Sequence, residues 1–394
     1  AQGAPFLLNF DEASMRGLIR QGLPEDEVWD YAPVGCLENT RQGDDRSGTV
    51  DVNVNLAKPV ELTLSQGVDL ATGVQVTPRT RDPRHMRRWE EFKRAFRTQM
   101  YECLDHLLSL NDEMDSLRRL FEPTPYLSCL VGGCTESGYD VTAGGARHNY
   151  ITAEGVALAT AADSLSAIKH LVFDTHRVAM SDLIGAVQRD FEGDEFLRQV
   201  LLNKAPKFGN DDPAADAMAR DVTRWWAEQV AQRTTPLTKR RYRAGYLSWN
   251  YGIAYAPLTS ATPDGRKRGT YLSNGVAAVS GMDRKGPTAM ARSVGSLGLE
   301  VVPNGDSHTL TLSPSLVRDA EHLERLAGFL RGYVQKGGTA LQINLIDPET
   351  LRDAQANPET YRNLLVRVTG YNAYFVNLGR ELQDEIIART AHGG

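Results

Sequence analysis

The chain has 394 residues, a net charge of −6, 24% charged and 41% hydrophobic residues, and at roughly 150 residues per domain it predicts two or three domains or one large α/β unit. Its scattered Lys and Arg argue against a nucleic-acid partner, and no apolar run approaches the ~20 residues of a membrane span. The opening A-Q-G-A-P-F-L-L-N-F lacks a charged leader with a long apolar core, so a cytoplasmic location is expected. Cys36, Cys103, Cys129 and Cys134 are too few for a disulfide framework in so long a chain, which fits a reducing compartment.

In chain order, periodicity first predicts a helix over Asp11–Gln21 with an acidic start. The stretch P-V-G-C-L-E-N-T, Pro33 to Thr40, reads as a loop, followed by the polar run Gln42 to Thr49. A long helix is predicted over Met86–Phe121, where Trp89, Phe92, Phe96, Met100, Leu104, Leu107 and Leu108 recur at steps of three and four as core positions. Further helices are expected over Ala153–His170, Ala214–Gln232 and Val317–Gln335. Strands are expected over Tyr126–Val131, Tyr246–Tyr255, Leu299–Val302, Leu341–Ile346 and Leu364–Val368. A-T-P-D-G-R (Ala261 to Arg266) and S-N-G-V (Ser273 to Val276) are turns, and G-P-T-A (Gly286 to Ala289) opens a helix with Pro in its first turn. Strands alternating with helices argue for an α/β architecture with a largely parallel sheet. No repeat of 20 to 50 residues is visible.

Two short stretches carry chemistry. Cys36 follows a glycine and precedes Glu38 by two residues in an irregular loop, which places a sulfur and a carboxylate before one cavity. A carboxylate disfavours thiolate formation, so this pair suits a neutral S–H whose hydrogen atom is exchanged better than a thiolate nucleophile. A lone cysteine is more often a small buried apolar residue, and the charged loop beyond it is more often only solvated. Near the other end, Gly370 stands in R-V-T-G-Y-N-A-Y-F, Arg367 to Phe375, where the commonest role of a glycine is a turn.

R-V-T-G-Y-N-A-Y-F with the downstream E-L-Q-D-E-I-I-A-R-T (Glu381 to Thr390) resembles the glycyl-radical signature of the pyruvate formate-lyase-like enzymes, and G-C-L-E resembles that family's cysteine loop. A-T-P-D-G-R, G-P-T-A, L-Q-I-N (Leu341 to Asn344), T-L-R-D-A-Q (Thr350 to Gln355) and N-P-E-T-Y-R-N-L (Asn357 to Leu364) fall in the family's order, so the resemblance spans nearly the whole chain. It implies the second half of a ten-stranded α/β barrel with both loops inside. The barrel part with the cysteine loop is expected over 1–260 and the glycine radical domain over 261–394. It also implies a backbone radical on Gly370, installed with S-adenosylmethionine by a separate iron-sulfur activating enzyme, with no other cofactor and no metal. Gly370 would take hydrogen from Cys36, the resulting thiyl radical would take one from a small polar substrate, and Glu38 would serve as acid or base.

Single Cys36 departs from the adjacent cysteines of the acyl-transferring members, and Cys129 and Cys134 do not form the paired C-x-x-C of the anaerobic ribonucleotide reductases. Cysteine with Glu at plus two resembles the dehydratases and the C–O, C–N or C–S lyases. The alternatives are a decarboxylase or C–C lyase, or a non-catalytic radical-domain replacement subunit. Asp45, Arg46, Ser47 and Thr49 are candidates to touch substrate, with Arg46 able to grip an anion bidentately. Glu136 and His148, the latter in G-G-A-R-H-N (Gly144 to Asn149), are candidate supporting acid/base groups. Family members have about twice this length, so a separate chain supplying the first half of the barrel, or a longer product of which this is a piece, is expected, together with an oligomeric assembly, since an open sheet leaves exposed edges.

Overall fold

The structure, a computed structural model, describes residues 5–46, 50–247, 249–389 and 391–392. It is mixed α/β. The strands in chain order are β1 (Phe6–Asn9), β2 (Tyr31–Val34), β3 (Glu38–Arg41), β4 (Val52–Asn55), β5 (Tyr150–Val156), β6 (Arg241–Gly245), β7 (Thr309–Leu312), β8 (Ala340–Leu345), β9 (Leu365–Arg367), β10 (Asn372–Tyr374) and β11 (Ala391–His392). Strand β5 pairs in parallel with β4 on one side and β6 on the other, while β7 pairs in parallel with β8. The chain leading into β7 joins the two groups. Asn304 N–H donates to Ala244 O at 2.9 Å, Tyr246 N–H to Gly305 O at 2.9 Å and Ser307 N–H to Tyr246 O at 3.1 Å, around a parallel bridge between Tyr246 and Asp306. Strands β4, β5 and β6, then β7 and β8, therefore follow one another in space as they do in sequence, all parallel, and β11 pairs in parallel with the end of β7. Parallel neighbours need helical crossovers, which is why long helical segments separate them. Strand β1 caps the β8 edge in the antiparallel sense, and among the described residues β4 and β1 stand at opposite ends of this order without pairing to each other.

The helix Trp89–Phe121 buries Phe92, Phe96, Met100, Leu104 and Leu108, the i, i+4 stripe of an amphipathic helix. Glu90 and Glu91 sit in its first turn and Arg118 and Arg119 in its last, each matched to the helix dipole. The helix Pro213–Ala231 starts at Asp212, whose carboxylate accepts from the Ala214 and Ala215 N–H groups at 2.9 and 3.3 Å, a side-chain N-cap. The helices and the inner strands share one large apolar core that includes Phe92, Phe208, Trp226, Tyr242, Tyr246 and Ile343. A second, smaller core of Ile346, Leu351, Ala354, Val366, Val368, Phe375 and Ile386 sits under the last hairpin. Among the described residues no helix is long and apolar enough to cross a membrane.

Several expectations need correction. Tyr126–Val131 is not a strand: Pro125–Ser128 is a short helix, opened by a proline in its first turn. The expected helix over Ala153–His170 begins as the fully buried strand β5 and becomes helical only from Leu158. The break falls at Ala157, a left-handed residue with φ of 70°. Leu299–Val301 is a turn of 3-10 helix, and the strand of that region is β7 instead. Tyr246–Tyr255 contains a short helix, Tyr251–Ala254, and the strand lies just before it, in β6. Strands β4 and β7 have four residues each, too short for a periodic signal.

Candidate active site

Strands β2 and β3 form an antiparallel hairpin with Val34 opposite Glu38, so Cys36 lies at its tip. Strands β9 and β10 form a second hairpin with Arg367 opposite Asn372, and Gly370 lies at that tip. The two tips meet. Gly370 has φ of +72°, and a Cβ built on it would lie 2.6 Å from Cys36 Sγ and 2.8 Å from Cys36 Cα. The α C–H bond that any side chain would replace therefore points into the Cys36 side chain, where such a Cβ would meet Cys36 Cβ and Sγ alike. Only glycine fits, for reasons of both space and backbone conformation.

The cysteine hairpin is set against the parallel strands. Asn39 N–H donates to Asn304 O at 2.8 Å, and Leu37, at φ of 92°, packs with Leu247 and Ala340. Gly305, at φ of +109°, lies directly below the Leu37 carbonyl, where a Cβ would collide.

Burial pushes the Cys36 thiol up to about 11, with Glu38 and Glu154 adding to the rise and Arg367 opposing it. The thiol is neutral near pH 7. Glu38 is buried at 4% exposure. Its carboxyl is raised above its ordinary range by burial, against the N–H groups of Glu38 and Cys36. The carboxylate folds back over Gly35, where a Cβ would lie 2.6 Å from Glu38 Oε2, and that oxygen has no hydrogen-bond partner among the described residues. A buried carboxyl with a spare oxygen and a raised pKa is poised to take or give a proton. Behind it lies Glu154 on β5, fully buried and held well above its ordinary value, chiefly by burial. Its oxygens accept from Leu247 N–H at 3.0 Å and Asn304 Nδ2 at 2.6 Å.

The glycine hairpin is held by amide side chains of β8. Gln342 Oε1 accepts from Gly370 N–H at 2.9 Å and from Arg367 Nε at 2.5 Å, and Gln342 Nε2 donates to Ser307 Oγ at 2.7 Å. Two residues on, Asn344 accepts from Arg367 N–H at 2.7 Å and donates to Arg367 O at 2.8 Å. Residues i and i+2 of a strand share a face, so both amides reach the same loop. Tyr371 is tied to Asn250 by a hydrogen bond of 2.9 Å.

The remaining sequence candidates are placed as follows. Asp45 accepts from Arg41 N–H at 3.3 Å and lies 3.5 Å from Arg243, with its side chain buried. Arg46 makes a bidentate pair with Asp51 at 2.9 and 3.0 Å, so its fork is filled from within the chain. His148 pairs with Glu27 at 2.8 Å and its backbone bridges Asp45. Glu136 is exposed and accepts from Gly133 N–H at 3.0 Å, closing the first turn of the short helix Cys134–Ser137. Ser47 and Thr49 lie outside the described residues. Sequence reasoning quoted Gln342 and Asn344 within L-Q-I-N without giving them a role, and it missed Glu154 because its strand reads as helix. Among the described residues no group of three or more His, Cys, Asp or Glu side chains could hold a metal.

Comparison with known proteins agrees with this geometry. The pyruvate formate lyase-like family model matches residues 3–256 and the glycine radical model residues 272–376. Trans-4-hydroxy-L-proline dehydratase of Clostridioides difficile is 33% identical over 388 residues, covering 98% of this chain and 49% of that protein. Isethionate sulfite-lyase of Nitratidesulfovibrio vulgaris is 33% identical over 401 residues, covering 99% of this chain and 47% of that protein. Among solved structures, the glycerol-bound B12-independent glycerol dehydratase from Clostridium butyricum superposes with a TM-score of 0.94 at 34% identity, covering 99% of this chain and 49% of that one. The chain spans about half the length of the curated relatives it matches. With both family models matched in order along it, the chain belongs to the pyruvate formate lyase-like family and carries a glycine radical domain.

Proposed function

We propose that these residues form the radical-bearing part of a lyase that eliminates a leaving group from a small polar substrate. The observation that carries this reading is the direction of the Gly370 α C–H bond into the Cys36 side chain, whose Sγ lies 2.6 Å from the position a Cβ would take, with Glu38 folded beside the thiol. A separate activating enzyme, using S-adenosylmethionine and an iron-sulfur cluster, removes one hydrogen atom from Gly370 Cα. Having no Cβ, the glycine radical can flatten and spread over its amide nitrogen and carbonyl. It then takes the hydrogen atom of the Cys36 S–H, and the sulfur radical takes one from a substrate carbon that bears a hydroxyl. Glu38 accepts the hydroxyl proton, the neighbouring carbon releases its substituent with the bonding electron pair, and Glu38 passes the proton on to the departing group. The thiol returns its hydrogen atom to the product radical, and the sulfur recovers one from Gly370.

Near pH 7 a neutral thiol is what hydrogen-atom transfer needs, and burial of Cys36 favours it. The names of the relatives, which are dehydratases and sulfite-lyases, fit water or sulfite as the group released. We further propose that a first-half segment, on a longer form of this chain or on a partner chain, completes the barrel and that the assembly works in a reducing, cytoplasmic setting, where the four free thiols persist. Supplying a first-half segment, by fusion or by co-expression, that leaves the radical yield unchanged would overturn the completion of the barrel.

The central test is anaerobic activation of the assembled enzyme followed by electron paramagnetic resonance. Cys36→Ser is expected to keep the glycine radical signal and to turn over no member of a panel of diols, hydroxyproline and isethionate. Turnover by Cys36→Ser, or a parent protein that never shows the signal, overturns the reading.

A further inference from the structure

Among the described residues the Gly370 N–H donates to one acceptor, and that acceptor is doubly anchored. Gln342 Oε1 receives both the Gly370 N–H at 2.9 Å and the Arg367 Nε–H at 2.5 Å. The other end of the amide is fixed by donation to Ser307 Oγ at 2.7 Å, and Ser307 in turn lies 3.1 Å from Thr369 Oγ1. Gln342, Ser307 and Thr369 are all buried, at 0%, 2% and 2% exposure. One glutamine thus touches, directly or through Ser307, residues 367, 369 and 370 of the glycine loop. It does so from the middle of a strand whose own backbone is paired on both sides, to β1 and β7. Packing alone cannot orient a residue that has no side chain, so the direction of the Gly370 α C–H bond is set by its peptide groups. The N-terminal peptide group is the one Gln342 holds.

We propose that Gln342 is the positioning residue of the hydrogen-transfer step between Gly370 and Cys36. It fixes the glycine peptide plane so that the α C–H bond is aimed at the sulfur, with Arg367 holding the glutamine oxygen in place. The step it positions is the exchange of one hydrogen atom: the Cys36 S–H bond breaks, the Gly370 Cα–H bond forms, and the unpaired electron moves from carbon to sulfur. Accepting the N–H also leaves more electron density on the nitrogen that shares the radical. This inference rests on the Gly370–Cys36 reading above and assigns the part of the geometry that the two partners cannot set themselves.

The test uses the activated assembled enzyme in deuterated water without substrate. The remaining α-hydrogen of the Gly370 radical splits its resonance into a doublet, and reversible transfer through the Cys36 thiol, whose hydrogen exchanges with solvent, replaces it by deuterium and collapses the doublet. The parent is expected to collapse and Cys36→Ser to stay a doublet; any other outcome for these two defeats the underlying pair and not this inference. Given that control, Gln342→Ala and the near-isosteric Gln342→Met are expected to slow the collapse about tenfold or more. Gln342→Glu, which keeps the acceptor oxygen, is expected to recover much of the rate. Collapse at the parent rate in Ala and Met variants overturns the proposal. A second measurement needs no radical: in the unactivated protein the Gly370 amide is expected to exchange about tenfold faster in Gln342→Met than in the parent, and equal protection overturns the proposal whether or not the variants can be activated.

Discussion

The two hairpins that meet at the site are held in opposite ways. The cysteine hairpin is pressed into place by packing, with Leu37 against Leu247 and Ala340 and a backbone bond from Asn39 to Asn304. The glycine hairpin stands on its own small core around Val366 and Phe375 and is oriented by the polar bracket of Gln342 and Asn344 on β8. Apolar packing is strong but non-directional, whereas hydrogen bonds fix angles. A thiol needs only to be in the right place, because its S–H rotates; a glycine must also face the right way.

The harshest break in this arrangement is Gly370→Ala. Its methyl group would meet the sulfur at 2.6 Å at a φ of +72°, so the glycine tip must move away. Complete loss of the radical signal and of turnover is expected, read by electron paramagnetic resonance after activation. Next comes Glu38→Gln, expected to lower turnover by about 10²–10⁴-fold while leaving the radical yield and the deuterium-driven collapse unchanged, since neither passes through Glu38. Burial raises the Glu38 carboxyl, so the folded protein keeps that proton to a higher pH than the unfolded chain does. The stability it contributes is full below the ordinary carboxyl range and declines as pH rises through the raised value. Base activity rises over that same interval. The Gln variant should lose both dependences, seen in a pH–rate profile and in melting curves across pH.

A milder pair of substitutions separates the two modes of support. Phe375→Ala, in the small core, is expected to cost about 3–5 kcal/mol of local stability and to expose the last hairpin to proteolysis while the main melting transition persists. Leu37→Ala, under the cysteine, is expected to cost about 2–5 kcal/mol and to lower that main transition instead. If the Phe375 variant melts as one unit at a lower temperature, the second core is not separate from the first. The smallest effect is expected from Glu136→Ala. Its carboxylate closes a four-residue helix at the surface, so the melting temperature should stay within about 2 °C of the parent and turnover should be unchanged.

The two loop tips were legible because each lies in a contiguous stretch. A glycine between strand-like and aromatic residues and a cysteine two before a glutamate are visible without knowing what lies across from them. The bracket was not legible in the same way. Gln342 and Gly370 are 28 residues apart, and nothing local marks a glutamine on a buried strand as the partner of a distant amide. Glu154 was hidden by composition, since A-E-G-V-A reads as helix until burial of every residue in β5 shows it to be a strand between two others. Arg46 drew attention as a free charge, yet a carboxylate five residues on, Asp51, fills its fork. A sequence displays a charge without displaying its local partner. The fold class was readable from alternation alone, while the short strands β4 and β7 emerged only from their pairing.

Gly305 approaches the cysteine turn at the Leu37 carbonyl and Gly370 at Cys36, and at neither would a Cβ fit. The turn that carries Cys36 is thus gauged by two main-chain approaches at which a side chain has no room. Its location is insulated from sequence drift in the surrounding loops, because replacing the residues that would contact a substrate leaves both backbone contacts as they are. On the function proposed above, such a scaffold can be re-specialised for a different leaving group by changing the walls of the cavity, with the approach of Gly370 to Cys36 left untouched.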